Sequence, residues 1–176
     1  MSTATEVTPD QGPVNAGMAQ LGGKYMTFKL AEEEYGLEIL KVREIIGFME
    51  VTRVPRTPEF IRGVINLRGK VIPVIDLRLK FAMPRTEATD QTVIIVVQCQ
   101  LGDKQLTMGI LVDQVLEVLS IDGPQIEPPP SFGTSAVDTE FILGVGKAEK
   151  RVIFLLDIDK VLSTEEAKAV AQAQVA

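Results

Sequence analysis

Apolar and polar positions alternate along much of this chain with the period of two that strands require. The clearest stretch is Glu59–Phe81, EFIRGVINLRGKVIPVIDLRLKF. Two β-branched runs, Gly63–Leu67 and Val71–Ile75, flank a polar Arg68-Gly69-Lys70, which predicts a hairpin. Asp76 ends the second run and precedes Leu-Arg-Leu-Lys-Phe, where its carboxylate can cap a short helix ending near Phe81.

The pattern returns in Glu140–Leu162, EFILGVGKAEKRVIFLLDIDKVL. Without gaps, Glu59, Phe60, Ile61, Gly63 and Val64 meet Glu140, Phe141, Ile142, Gly144 and Val145, and Val71, Ile72 and Asp76 meet Val152, Ile153 and Asp157. Valine and isoleucine matches between strands come cheaply, but two separated motifs at one fixed offset indicate a duplicated unit. A duplicated cap accounts for Asp76 and Asp157 better than a catalytic pair does.

Other segments fill in around these two. Residues 1–23 are rich in Gly, Thr, Pro, Gln and Ala and are expected to be a disordered tail. Lys24–Leu30 reads as a strand, Ala31–Gly36 as a polar turn, and Leu37–Ile46 as a second strand bounded by glycines. Val51–Pro58 holds two prolines and reads as a loop or edge segment. Ala82–Gln91 is polar and is the expected connection between halves. Thr92–Leu101, Leu106–Asp113 and Val115–Ile121 are strands, the last matching Val42, Glu44 and Ile45 with Val115, Glu117 and Val118. Pro124–Asp138 is a loop. Ser163-Thr-Glu-Glu166 is a capping box, and an Ala-rich helix or tail over 164–176 follows it. Many short strands with few helices predict an all-β barrel architecture, since closure removes exposed strand edges. Two such halves would leave a groove between them, a common place for binding.

Composition narrows the chemistry. Hydrophobic content of 45% and charged content of 24% suit a soluble globular protein with a sizeable core. A net charge of −6 and a pI near 4.8 disfavour nucleic acid and anionic membrane surfaces. No histidine is present, so the side chain best suited to proton transfer near neutral pH is missing, as is the commonest transition-metal ligand. The single Cys99 lies in the apolar run TVIIVVQCQ and reads as a small strand residue in a reducing compartment. No apolar run is long enough to span a bilayer, and no basic, apolar leader opens the chain. No phosphate-cradling glycine loop or calcium-loop pattern appears. An enzyme is therefore disfavoured, and an oligonucleotide-binding barrel would need more basic grooves and stacking aromatics than 5% of the chain supplies.

The motif GVINLRGKVIPVIDLR resembles the signature of the CheW family of bacterial chemotaxis coupling proteins, and EEEYGLEILKVREIIG, VTRVPRTPEFIRGVINLRG, TVIIVV and MGILVDQVLEVL follow in family order. The resemblance implies a CheW-like domain over 24–163 with two intertwined five-stranded SH3-like β-barrel subdomains, short helices and a C-terminal helix. It implies no catalysis and no cofactor. It implies a cytoplasmic adaptor, a monomer in isolation, that joins the cytoplasmic tips of methyl-accepting chemoreceptors to the regulatory domain of the histidine kinase CheA in arrays at the inner face of the membrane. A CheV-like scaffold or one serving a non-flagellar chemosensory pathway is the alternative within the family. Arg68 at the hairpin tip is implied in receptor and kinase coupling, with Glu44 as its partner. Ile39, Val42, Val93, Val115 and Val118 match apolar positions lining or bordering the receptor groove. Gly63, Asn66 and Gly69 are expected to shape the hairpin.

Overall fold

The computed structural model describes residues 21–101, 103–128 and 141–162. The expected tail over 1–20, the 129–138 part of the long loop, the capping box and the C-terminal helix lie outside the described residues.

Among the described residues, eleven strands fall into two sheets. In chain order they are β1 (Gly23–Leu30), β2 (Glu33–Glu38), β3 (Val42–Gly47), β4 (Ile61–Leu67), β5 (Lys70–Asp76), β6 (Val93–Leu101), β7 (Lys104–Val112), β8 (Gln114–Ile121), β9 (Ile126–Glu127), β10 (Ile142–Ala148) and β11 (Arg151–Leu156). One four-residue helix, α1 (Leu77–Lys80), follows β5. The first sheet runs β8-β1-β2-β11-β10-β9 and the second β3-β6-β7-β5-β4.

Each sheet draws strands from both halves of the sequence. β1 and β2 join β8, β10 and β11, while β3, β4 and β5 join β6 and β7. The two orders are the same when β8 stands for β3, β1 for β6, β2 for β7, β11 for β5 and β10 for β4. Even the single parallel contact recurs, as β11 with β2 (Leu155 opposite Gly36) and β5 with β7 (Val74 opposite Gly109). The intertwined two-barrel all-β architecture is thus borne out. Residues 82–91 link α1 to β6 without helix or strand, but this link does not separate one barrel from the other.

The duplication holds at the level of register. β4 and β5 slip by one residue between Ile61 and Gly63, and β10 and β11 slip between Ile142 and Gly144. In both units the aspartate at the end of the second strand donates its backbone N–H to the phenylalanine before the first: Asp76, the last residue of β5, to Phe60 O and Asp157, just past β11, to Phe141 O, each at 2.7 Å. A buried backbone N–H left unpaired is costly, so this bond closes each unit at its base.

Several boundaries differ from expectation. The turn after β1 is only Ala31-Glu32, and Glu33–Gly36 are already in β2, because Tyr35 and Gly36 are buried and paired with Phe28 and Thr27. The single strand expected over Leu37–Ile46 is broken by a 3₁₀ turn, Ile39–Lys41, which carries the chain from the first sheet to the second. The central hairpin turn has two residues rather than three, since Leu67 pairs with Lys70. The first sheet has six strands rather than five: Ile126-Glu127, expected in a loop, pairs with β10 at Gly146 and Val145. Gly23, assigned to the tail, opens β1.

Each barrel has its own small core, around Ile65, Ile72, Val74, Ile94 and Val96 in one and Tyr25, Ile121, Ile153 and Leu155 in the other. The largest cluster lies between them. Phe28, Leu30 and Leu37 from the first sheet pack with Ile95, Val97 and Ile110 from the second, all fully buried. Each such side chain contributes about 1.5–3 kcal/mol of burial. Phe81 and Phe141 stack at 4.8 Å between ring centres and tie one repeat unit to the other. The expected groove between the halves is therefore filled with core, and only its margin reaches the surface.

Candidate partner-binding surface

The surface is built on the edge strand β3 and the tip of the β4–β5 hairpin. Arg68 has φ +53° and Gly69 φ +84°, the left-handed pair that a tight two-residue hairpin turn demands. Gly69 donates its N–H to Asn66 Oδ1 at 2.8 Å, which holds the turn from within. The geometry leaves Arg68 at the tip with 69% of its side chain exposed.

Arg68 forms an ion pair with Glu44 on β3. β3 and β4 are opposite edges of their sheet, so this pair spans the seam where the sheet rolls up on itself. Gly63 lies deeper in the same hairpin. With φ +143°, its backbone comes so near Thr52 that a Cβ would sit 2.0 Å from Thr52 O. The approach lets Thr52 and Val64 exchange two backbone hydrogen bonds of 2.9 and 2.8 Å, extending the sheet at its edge.

The carboxylates of the repeat differ in surroundings. Asp76 is 4% exposed; its Oδ1 accepts from Leu79 N and its Oδ2 from Arg62 Nη1 at 3.0 Å. Asp157 accepts from Asp159 N at 3.1 Å, and burial, with the neighbouring Asp159 adding, raises its pKa. Cys99 is buried, and burial pushes its thiol up to about 12, so it is not a thiolate at neutral pH.

The apolar candidates are distributed over both barrels. Ile39, Val42, Val93 and Val115 are half-buried and pack against the central core. Val42 and Val115 occupy equivalent places on the edge strands β3 and β8, opposite Val97 and Phe28. Val118 is exposed opposite Met26. These residues form no single closed pocket. A shallow hollow of about 250 Å³ is lined by Ile39 together with Tyr25, Glu38 and Leu40.

Sequence reasoning missed several exposed apolar residues here. Leu40, on the 3₁₀ turn, is 94% exposed, and Ile45, Phe48 and Met49 are also exposed. Ile45 was legible from its phase: it falls on the outward face of a strand whose exposure alternates strictly. Leu40 was not, because the turn that throws it outward breaks that alternation. Among the described residues no group of three or more His, Cys, Asp or Glu could hold a metal ion, and no helix is long and apolar enough to cross a membrane.

The rolled sheets with exchanged strands, closed across a seam by charge and bordered by exposed aliphatics, define a two-barrel scaffold module. Residues 24–166 match the model of the CheW-like domain, and the chain belongs to that family. It is 46% identical over 146 residues to chemotaxis protein CheW of Klebsiella aerogenes, covering 83% of this chain and 85% of that protein. Chemotaxis protein CheW of Rhizobium meliloti is 36% identical over 148 residues, covering 84% of this chain and 92% of that protein. The crystal structure of the scaffolding protein TtCheW from Thermoanaerobacter tengcongensis superposes with a TM-score of 0.72 at 39% identity, covering 83% of this chain and 96% of that one.

Proposed function

We propose that this chain is a non-catalytic chemotaxis adaptor that couples the cytoplasmic tips of chemoreceptors to the histidine kinase CheA in cytoplasmic arrays. Arg68 and Glu44 set the shape and charge of the coupling surface. Ile39, Val42, Val93, Val115 and Val118 supply its apolar margin, onto which an amphipathic receptor helix lays its apolar stripe. The observation that carries the reading is the seam-spanning Arg68–Glu44 pair, whose glutamate shares β3 with Val42 and the exposed Ile45. An exposed pair contributes little to stability, about 0–1 kcal/mol. Its position at a turn tip beside exposed apolar residues fits a contact role better than a structural one. An adaptor alters kinase activity only through differential contact with kinase states, so a change at the contact surface should uncouple without unfolding.

The test is a reconstituted receptor–kinase assay with Arg68→Glu. The variant is expected to keep the wild-type unfolding midpoint and lose kinase activation. A folded variant that activates normally removes Arg68 from the role. Amide shifts in a titration with a receptor-tip peptide should cluster on β3, β8 and the start of β6; shifts confined to the barrel ends would contradict the apolar margin.

A further inference from the structure

The internal symmetry places a second glutamate where Glu44 stands. On β3, Val42 is opposite Val97 and Ile45 opposite Ile95 of β6; on β8, Val115 is opposite Phe28 and Val118 opposite Met26 of β1. Glu117 is therefore the counterpart of Glu44, and the register of each strand pair shifts by one residue close to it. Glu44 is met by Arg68 from a hairpin tip. Glu117 is met by Arg151, which begins β11 just after the turn of the other hairpin, through Nη1 to Oε2 at 2.7 Å.

The second arrangement is more tightly held. Arg151 also donates from Nε and Nη2 to Glu34 Oε1 at 3.0 and 2.6 Å. One guanidinium thus ties β11 to Glu34 on its neighbour β2 and to Glu117 on the edge strand β8. The backbone of Glu117 is fixed as well: the fully buried Thr27 donates its hydroxyl to Glu117 O at 2.6 Å and accepts from Glu117 N at 3.1 Å. The Arg151 side chain is 31% exposed against 69% for Arg68. A guanidinium fork shared by two carboxylates is a positional constraint rather than a loose surface pair. Arg68, with one partner and most of its surface free, can exchange that partner for another; Arg151 cannot without releasing two strands.

We infer that Arg151 is a positioning residue that fixes edge strand β8, and so the placement of the half-buried Val115 and the exposed Val118, through Glu117. The inference rests on the reading that β8 meets a partner, and its two parts are tested separately. Native-state amide exchange on the full chain compares wild type, Arg151→Ala, Arg151→Lys and Arg68→Ala, and each is titrated with a chemoreceptor cytoplasmic fragment. In Arg151→Ala the amides of Gln114–Ile121 are expected to exchange about tenfold faster with β6 and β7 unchanged, and fragment affinity to fall about fivefold. Arg151→Lys should recover part of both, since an ammonium cannot fork across two carboxylates. Arg68→Ala should weaken binding without altering exchange in β8. Adding Glu117→Gln to Arg151→Ala should change neither readout further.

Unchanged protection in β8, or an equal loss of protection in β6 and β7, overturns the inference. A wild-type chain that binds no fragment overturns the partner reading and the claim on affinity, while the exchange pattern still decides the clasp.

Discussion

In the first repeat unit the capping aspartate, Asp76, is sealed by Arg62 and caps a true helical turn; in the second, Leu143 stands at the arginine's place and Asp157 caps only a 3₁₀ turn, Ile158–Lys160. The hairpin backbone is shared up to that turn, down to the register slip and the 2.7 Å bond from aspartate N to phenylalanine O. A second pair of sites differs by inversion. Asp113, between β7 and β8, takes a bidentate Arg78 at 2.8 and 2.6 Å and the N–H of Ala31 at 2.8 Å. At the matching place in the other half the carboxylate sits on the 3₁₀ turn instead: Asp159 accepts from Lys41 Nζ at 2.8 Å and from the N–H of Gln100 at 2.7 Å. The two barrels therefore share a hydrogen-bonding plan and not a set of side chains. Backbone geometry leaves few ways to close a small rolled sheet, whereas a carboxylate–cation contact works with either partner on either strand.

The largest expected contrast is between the two caps. Asp76→Ala removes the cap and leaves Arg62 half-buried without its carboxylate, at a cost of about 3 kcal/mol. Asp157→Ala removes a cap alone, about 1 kcal/mol. Urea unfolding at pH 7 measures both, and equal losses would break the comparison. Next comes the hairpin itself. Gly63→Ala forces a Cβ into Thr52 O and should cost about 2–3 kcal/mol, whereas Gly69→Ala meets open space at φ +84° and should cost about 1 kcal/mol.

The smallest contrast is in pH dependence. Burial works against the charge of Asp113, but Arg78 and the Ala31 N–H outweigh it and hold its pKa below the usual carboxylate value. Its contribution is therefore present above that usual value, about 4, and is lost as pH falls through the lower folded value. Asp157 is raised, chiefly by burial, so its contribution is full below about 4 and is lost as pH rises through the raised folded value. Asp113→Asn should lower the melting temperature at pH 7 and matter progressively less in acid. Asp157→Asn, which can still accept from Asp159 N, should raise the melting temperature at pH 7 by about 1–2 °C, with the gain fading in acid. Melting curves from pH 3 to pH 7 check both signs.

What the sequence determined by itself is local. Two β-branched runs around a turn, a glycine where φ must be positive, and an aspartate placed to cap the next residues all act within a few positions of one another. The hairpins, the repeat and the matched strands β3 and β8 were legible for that reason, and the family motif made the exchanged barrels readable as a resemblance. Only the tertiary structure decided which strands pair across the chain: nothing near Glu33–Gly36 marks it as the neighbour of β11, so a paired strand read as a polar turn. The same holds for the break at Ile39–Lys41, which exists because the chain must cross from one sheet to the other, and for Arg151, whose carboxylate partners lie far away in sequence on β2 and β8. Long-range pairing depends on shape and burial shared between distant segments, and no local pattern carries that information.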